Sequence, residues 1–367
     1  MKQDNYTLLK HKCPRKRSPM NSRSLIRIII YLIVFVLIIA GINAAAIYSK
    51  AYSPNIHTPE QKPVYIFIPT GSEYEDVLQI IYQQNLIENK KSFEWAADKK
   101  KYASHIHPGR YRIRENMSNN ELINILRSGL QEPVNVTINN ARTLEDLAQK
   151  ISGQIETSPD ELLQLLTDSG YIQEYGFDKL TVLGMFLPNT YEFWWNTSAD
   201  GFFKRMNKEY NRFWNQERKG RAREINLTGN QVITLASIVV NETNKEDEYR
   251  RIAGVYINRL NQGIRLQADP TVKYALEDYE RRRVLRKDTY SDSPYNTYLH
   301  YGLPPGPISL PTIKVIDAVL NYEKHRYVFF CAKDDFSGYH NFARTLEQHN
   351  KNARLYQKAL NRRNILR

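Results

Sequence analysis

One carboxylate in this sequence stands at the end of a strongly apolar helical pattern. Residues 231–242 read QVITLASIVVNE and follow Thr228-Gly-Asn230, which is typical of a helix start. One face of the predicted helix carries four residues at i, i+3, i+4 and i+7, namely Leu235, Ile238, Val239 and Glu242. The pattern therefore places a carboxyl group among apolar side chains.

Such a position suits Glu242 to acid–base chemistry. Burial disfavours the charged form of a carboxyl group, and so does the negative end of the helix dipole. A carboxyl that stays protonated near neutral pH can act as the general acid at a glycosidic oxygen. The alternative is structural, with Glu242 ending the helix in solvent and pairing with Arg250 or Arg251.

Further polar and aromatic residues follow this helix. Residues 247–261 form a second predicted helix that stops at Gly263. Asp269-Pro270 is either a helix start, with Asp at the N-cap and Pro at the first helical position, or a functional acid. Residues 295–298 (YNTY) and 302–308 (GLPPGPI) suit the wall of a groove that stacks sugars on aromatic rings.

The N-terminus combines a basic run with a long apolar stretch. Residues 1–27 carry eight Lys or Arg against the single acid Asp4, which accounts for about half of the formal net charge of +13. Residues 28–48 carry no charge and are long enough for a helix that crosses a hydrocarbon core of ~30 Å. A cleaved signal peptide is the alternative, because the alanines at 44–46 resemble a cleavage site.

The charge bias predicts how this segment is oriented. An excess of Lys and Arg before an apolar span favours a cytoplasmic N-terminus. Residues 1–27 are therefore predicted to be a cytoplasmic tail and residues 28–48 a single transmembrane helix of the cytoplasmic (inner) membrane. The remainder is then extracytoplasmic, or periplasmic if the cell has an outer membrane.

Composition argues against several other classes. Outside the N-terminal run the chain is only mildly basic and has no zinc-finger spacing or Gly-rich phosphate loop, so no nucleic-acid partner is predicted. Cys13 and Cys331 lie on opposite sides of the predicted membrane, and the apolar surroundings of Cys331 indicate a small buried hydrophobe. No metal-ligand cluster is present, and neither a metal nor another cofactor is expected.

Turn signals divide the extracytoplasmic part into a linker and two modules. Residues 49–62 contain two prolines and mostly polar residues and are predicted to be a short spacer. Residues 63–133 show a strand–helix–helix–strand–helix order. Residues 134–367 mix helices with scattered short strands. The expected fold class is α+β, with a small α/β module and a larger mixed α+β domain.

The motifs closely resemble those of the endolytic murein transglycosylase family, also called MltG or YceG-like. The segments that carry the resemblance occur in the family's order: GMFLPNTY at 184–191, LASIV at 235–239 with Glu242-Thr243, VYINRL at 255–260, LQADPTV at 266–272 with Tyr274, YNTY at 295–298, GLPPGPI at 302–308, GYHNF at 338–342 and HN at 349–350. The resemblance covers most of residues 63–360 and includes the anchor. It implies a LysM-like module at 63–133 and a YceG-like catalytic domain at 134–367.

The resemblance also implies a reaction. The family cuts nascent peptidoglycan strands between N-acetylmuramic acid and N-acetylglucosamine and leaves 1,6-anhydro ends, which ends strand elongation. Glu242 matches the family's catalytic glutamate, but Val240 stands where the family usually has another Glu. Peptidoglycan strands, the membrane and peptidoglycan synthases are the implied partners.

Six further residues are predicted to bind or position the substrate: Gln267, Asp269, Tyr295, Asn296, His340 and Phe342. Asp269 is alternatively a helix cap, or the second carboxylate of a muramidase that uses water. His340 is alternatively a structural histidine. A non-catalytic scaffold that binds glycan and holds cell-wall machinery at the membrane remains the third functional alternative.

Overall fold

The computed structural model describes residues 22–281 and 283–363, so the predicted tail up to position 21, with Cys13, lies outside the described residues. Its helices are α1 (Ser22–Tyr52), α2 (Tyr74–Gln83), α3 (Lys90–Lys99), α4 (Asn119–Arg127), α5 (Leu144–Ser152), α6 (Pro159–Thr167), α7 (Ser169–Gln173), α8 (Ala199–Phe213), α9 (Gln216–Glu224), α10 (Gly229–Glu242), α11 (Tyr249–Asn261), α12 (Asp269–Ala275), α13 (Ile313–Leu320) and α14 (Leu346–Arg362). Its strands are β1 (Val64–Ile68), β2 (Gly109–Ile113), β3 (Val134–Ile138), β4 (Asn189–Phe193), β5 (Phe329–Ala332) and β6 (His340–Ala343). This mixture confirms the predicted α+β class.

The N-terminal helix α1 is longer than the sequence pattern predicted. Within the described residues it is the one helix long and apolar enough to cross a membrane, over Leu25–Tyr52. Its apolar side chains are exposed, as expected for a helix that faces lipid. The helix continues past position 48, the predicted end of the span, to Tyr52.

The predicted spacer at 49–62 is wrong up to residue 58, because residues 49–52 belong to α1 and the segment that follows is partly buried. Asn55, Ile56 and Thr58 are buried, and Ile56 forms an isolated β-bridge with Ile87. A segment whose apolar side chain and backbone groups are buried gains packing and hydrogen bonds that a solvated linker lacks. These residues therefore belong to a folded unit that also includes α2, α3 and α4.

The chain divides into two compact units. The first comprises the described residues up to Val64 together with Glu73–Ile106 and Ile113–Ser128. The second comprises Tyr65–Ser72, His107–Arg112 and the described residues from Gly129 onward. The predicted division at residue 133 remains a prediction.

The second unit contains short antiparallel pairs of strands. In one pair, β3 and β4 run antiparallel with Val136 opposite Tyr191, and α5, α6 and α8 contribute to the apolar cluster that includes both residues. In another, β5 and β6 run antiparallel with Phe330 opposite Phe342. Each pair is too small to be stable alone, so the helices packed nearby must supply the burial.

Helix α10 forms the centre of a second apolar cluster. Thr228 and Gln231 form a capping box at its start, and eight consecutive residues from Val232 to Val239 are buried. A helix that is apolar on all sides must be surrounded, and α10 packs against α11, α12 and α13. Val240 also packs against this cluster, which explains an apolar residue at that position.

The segment at residues 323–325 approaches α11 so closely that position 254 requires a glycine. A Cβ at this position would lie 2.4 Å from the carbonyl oxygen of Glu323 and 2.7 Å from Nε2 of His325. We expect Gly254→Ala to lower the free energy of unfolding by about 1–3 kcal/mol, because the backbone must shift to admit the methyl group. Denaturant unfolding of the detergent-solubilised chain, followed by circular dichroism, measures the change.

Gly220 in α9 is the matched control, since a Cβ there meets no atom within 4 Å. Gly220→Ala should raise the free energy of unfolding by about 0.5–1 kcal/mol through helix propensity. Equal effects of the two substitutions would contradict the close packing at Gly254.

Candidate active site

Glu242 lies in the wall of a cavity of about 510 Å³ in the second unit. The cavity is bounded by the end of α10, one face of α11, the loop before α12, the β5–β6 pair and the start of α14. Its lining comprises Glu242, Tyr256, Arg259, Leu266, Gln267, Asp269, Tyr298, Phe329, Phe330, Cys331, Ala332, His340, Leu346, His349 and Asn350. Two carboxyl groups, one guanidinium and two imidazoles thus share one space with several aromatic rings.

Tyr256 fixes the carboxyl group of Glu242. The Tyr256 hydroxyl donates a hydrogen bond of 2.5 Å to Oε1 of Glu242. Tyr256 is almost fully buried in α11, so its ring is held by the apolar cluster around α10. The structural alternative for Glu242 is wrong, because Arg250 bonds to the carbonyl of Asn321 and Arg251 to Glu323.

The surroundings of Glu242 favour its protonated form. Burial is the main cause that raises the pKa of Glu242 to about 7, and the negative charge of Asp269 raises it further. The Tyr256 hydrogen bond opposes this rise, as do the positive charges of Lys273 and Arg259. A carboxyl group with a pKa of about 7 can both give and take a proton at neutral pH.

Arg259 ties three segments of the site together. Its guanidinium donates to the carbonyls of Val328, Arg265 and Leu266, and to Oε1 of Gln267. The side chain is buried, and its charge lies over the ring of Phe329. A buried guanidinium whose Nε and Nη1 donate to carbonyl oxygens of separate segments fixes the spacing between α11, β5 and the loop before α12.

Asp269 is not the helix cap that one alternative predicted. Ala268 occupies the N-cap of α12 and Asp269 is already helical, so the predicted start was late by one residue. The exposed carboxylate of Asp269 instead accepts a 2.6 Å hydrogen bond from the hydroxyl of Tyr298. The side chain therefore faces the cavity that Glu242 lines.

Gln267 lines the cavity and has an unusual backbone conformation. Its φ is +49°, a left-handed conformation that costs energy for a residue with a side chain. The amide of Gln267 donates to the carbonyl of Thr297, and Ala268 N–H donates to the Thr297 hydroxyl. These bonds hold the loop beside the YNTY segment.

His340 lines the cavity on the side of β6. Its Nδ1 lies 2.8 Å from Oε2 of Glu248, and its backbone amide donates to Oε1 of the same carboxylate. Glu248 is buried and also accepts from the hydroxyl of Thr243, which directly follows Glu242. A carboxylate acceptor at Nδ1 favours the tautomer with its proton there, which leaves Nε2 as an acceptor.

Three predicted substrate-binding residues do not line this cavity. Asn296 is fully buried, where its amide donates to the carbonyls of Thr289 and Ser291. Tyr295 is buried against Tyr274, with ring centroids 4.6 Å apart. Phe342 packs beside Phe330 in the β5–β6 pair. Their substrate contacts stay predictions, and in the structure these side chains hold the loops and strands that carry the site.

Several residues of the site gave no functional signal in the sequence. Tyr256 and Arg259 lie on the predicted second helix and within the VYINRL segment, but neither was predicted to be a site residue. Glu248 gave no signal, because a charged residue near a helix start is ordinarily exposed. Cys331, predicted to be a buried hydrophobe, is half-buried at the cavity wall, and burial raises the pKa of its thiol.

The raised pKa of Glu242 makes stability depend on pH. Between about pH 4.5 and 7 the folded state binds more protons than the unfolded state, so the stabilisation is full below pH 4.5 and is lost as pH rises through 7. We expect Glu242→Gln to gain about 2 kcal/mol of unfolding free energy relative to wild type between pH 5 and pH 8. Denaturant unfolding at the two pH values measures it, and a constant difference would contradict the buried carboxyl.

The chain is similar to proteins of one family over most of its length. The model of the YceG-like family matches residues 66–355. The endolytic murein transglycosylase of Bacillus subtilis (strain 168) is 30% identical over 328 residues, which cover 84% of this chain and 89% of that protein. The endolytic murein transglycosylase of Streptococcus pneumoniae serotype 2 (strain D39) is 27% identical over 361 residues, which cover 88% of this chain and 64% of that protein.

A solved structure extends the similarity to the fold. The crystal structure of a yceG-like protein from Listeria monocytogenes matches with a TM-score of 0.52 and 27% sequence identity, covering 79% of this chain and 99% of that chain. The segment at 66–355 contains every residue that lines the cavity around Glu242. The resemblance is confirmed, and the chain belongs to the YceG-like family.

Proposed function

We propose that this protein is a membrane-anchored endolytic lytic transglycosylase, a carbon–oxygen lyase that cleaves peptidoglycan glycan strands and leaves 1,6-anhydromuramoyl ends. The observation that carries the proposal is the carboxyl group of Glu242, which is held by Tyr256 in a cavity and has a pKa of about 7. The names of the Bacillus and Streptococcus relatives support the same reaction.

In the proposed reaction Glu242 makes both proton transfers. It first donates its proton to the glycosidic oxygen, and the bond from that oxygen to the anomeric carbon of N-acetylmuramic acid breaks. The carboxylate then accepts the proton of the C6 hydroxyl as O6 bonds to the anomeric carbon. No water is consumed, and Glu242 returns to its protonated form.

The contacts of Glu242 fit these two steps. Because Oε1 accepts the Tyr256 hydrogen bond, Oε2 is the oxygen that carries the transferable proton. Once the proton has left, the Tyr256 bond and the positive charges of Lys273 and Arg259 stabilise the carboxylate. Tyr256 and Arg259 are therefore proposed as positioning residues, while Glu242 alone exchanges protons with the substrate.

Three predicted residues remain as proposed substrate contacts. Gln267, Asp269 and His340 line the same cavity as Glu242, and each carries a polar group. The Nε2 of His340 is suited to accept a hydrogen bond from a sugar hydroxyl or N-acetyl N–H. Asp269 is suited to stabilise positive charge that develops at the anomeric carbon.

Asp269 also favours one second candidate function. A muramidase that hydrolyses with water needs a second carboxylate near the acid. Asp269 lines the cavity and its charge acts on Glu242, so it could serve as the base for a water molecule. The chemical form of the product ends separates the two reactions.

The N-terminal part is proposed to place the enzyme at the membrane. The exposed apolar helix α1 supports a single-pass anchor in the cytoplasmic membrane, with the predicted cytoplasmic N-terminus and an extracytoplasmic catalytic domain. The order β1-α2-α3-β2-α4, with β1 paired to β2, supports the LysM-like assignment of residues 63–133. Peptidoglycan synthases remain proposed partners, because new strands emerge at the same surface.

The first test uses uncrosslinked glycan strands and mass spectrometry of the products. We expect the wild type to produce 1,6-anhydro ends, and Glu242→Gln to slow their formation about a thousandfold because an amide cannot donate the proton. The wild-type rate should fall about tenfold per pH unit above pH 7, as Glu242 ionises.

Asp269→Asn is the matched variant, since it also replaces a carboxylate of the cavity by an amide. It should slow the reaction less and keep the anhydro ends. Reducing ends from the wild type would instead establish hydrolysis, with Asp269 as the base. Glycan binding without any cleavage would support the scaffold.

A second test concerns His340. We expect His340→Gln to raise KM roughly 5- to 10-fold, the effect of losing about one hydrogen bond to the sugar, with kcat changed less than about 3-fold. His300→Gln is the control, because His300 is exposed and lies outside the cavity lining. A large fall in kcat at unchanged KM would contradict substrate positioning and indicate proton transfer.

A further inference from the structure

The length of α1 sets how close the first unit lies to the membrane. The charge-free residues 28–48 span about 31 Å as a helix, which uses the whole hydrocarbon core. Lys50 follows within one turn of this stretch, and the helix runs on unbroken to Tyr52. Lys50 therefore lies at the depth of the lipid headgroups, which extend roughly 5–8 Å beyond the core on each side.

A buried amide joins this end of α1 to the folded unit. Nδ2 of Asn119, a residue with no exposed surface, donates 2.9 Å to the carbonyl oxygen of Lys50. The same group donates to the hydroxyl of Ser92, and Asn55 donates to Oδ1 of Asn119. Helix α1 also packs against α3 and α4. Because the joint is packed and hydrogen-bonded, residues beside it share the depth of Lys50.

Two further lysines border the same space. Lys50, Lys90 and Lys91 line a cavity of about 720 Å³, together with the hydroxyl-bearing residues Ser49 and Ser53. All three lysines are exposed. The carboxylate of Glu88 also lines the cavity. Its Oε2 lies 3.3 Å from Nε2 of His57, so the protonated imidazole offsets its negative charge.

Aromatic rings accompany these lysines. Tyr48 and Tyr52 stack at the end of α1 with centroids 4.8 Å apart, and Nζ of Lys50 lies 5.7 Å from the centre of the Trp95 ring. Tyr and Trp are enriched at the membrane–water interface, where a ring can keep one side in the apolar layer and one in water. The positions of these rings therefore indicate the same depth for Lys50 as the length of α1 does.

From these contacts we infer that the first unit sits directly on the outer leaflet, with Lys50, Lys90 and Lys91 binding the phosphate groups of anionic phospholipids. The inference rests on the membrane anchor of the proposed function but not on its chemistry. Lysines near an anionic surface bind it through charge, and the effect fades over a Debye length of about 10 Å. The first unit would then be held at a fixed distance from the membrane surface.

Lysine acylation rates of the full chain in lipid nanodiscs test this surface. A water-soluble acylating reagent is applied in discs of phosphatidylcholine alone, in discs with about 30% phosphatidylglycerol, and in neutral discs with inorganic phosphate, and each lysine is followed by mass spectrometry. We expect the rates at Lys90 and Lys91 to fall about fivefold only in the anionic discs. Lys99 and Lys101 are the matched controls: Lys99 lies about 13 Å further along α3, Lys101 follows the end of that helix, and neither rate should change.

Each other outcome overturns a stated part of the inference. Equal rates at Lys90 and Lys91 in neutral and anionic discs would exclude headgroup binding. The same protection by inorganic phosphate in neutral discs would mean that the cavity takes a free anion. Protection of Lys99 and Lys101 to the same degree would mean a nonspecific charge effect. Failure of the chain to enter discs would refute the membrane anchor. It would not affect the glycan-cleavage test of Glu242, which does not depend on the discs.

Discussion

The site depends on the burial of helix α10 from every side. Residues 232–239 of α10 are all buried. Glu242 is the last residue of the helix and lies where the neighbouring elements leave a cavity. The same packing brings α11 alongside, so that Tyr256 reaches Glu242 from within the core and Gly254 admits the Glu323–His325 segment. Rigid surroundings of this kind hold the half-buried carboxyl group of Glu242 in one geometry at the cavity wall.

The charge balance around Glu242 is as specific as its packing. Burial and Asp269 favour the protonated form, while Tyr256, Lys273 and Arg259 favour the ionised form. The opposed effects bring the pKa of Glu242 to about 7, which suits its proposed role of giving a proton and then recovering one. With Val240 packed into the core, Asp269 rather than a neighbour on α10 supplies the second carboxylate of the cavity.

Much of the fold followed from local patterns. The strand–helix–helix–strand–helix order predicted for residues 63–133 is the order of β1, α2, α3, β2 and α4, and Gly263 marked the end of α11. These features depend on hydrogen bonds and side-chain spacing within one segment. The residues after position 48 were misjudged as a spacer, because polar residues and prolines look alike in a linker and in a packed loop. Their burial by α3, α4 and Ile87 depends on distant parts of the chain.

The sequence by itself identified Glu242 as the proposed catalytic residue, since periodicity placed it on an apolar face and the surrounding motifs matched one family. It also identified Gln267, Asp269 and His340, which the fold brings to the same cavity. Only the tertiary structure decided that Tyr256 and Arg259 hold the site, that Glu248 supports His340, and that Asn296 is buried within its own loop. Those roles arise from contacts between residues far apart in sequence, and burial of a polar side chain leaves no periodic signal when its partner lies elsewhere in the chain.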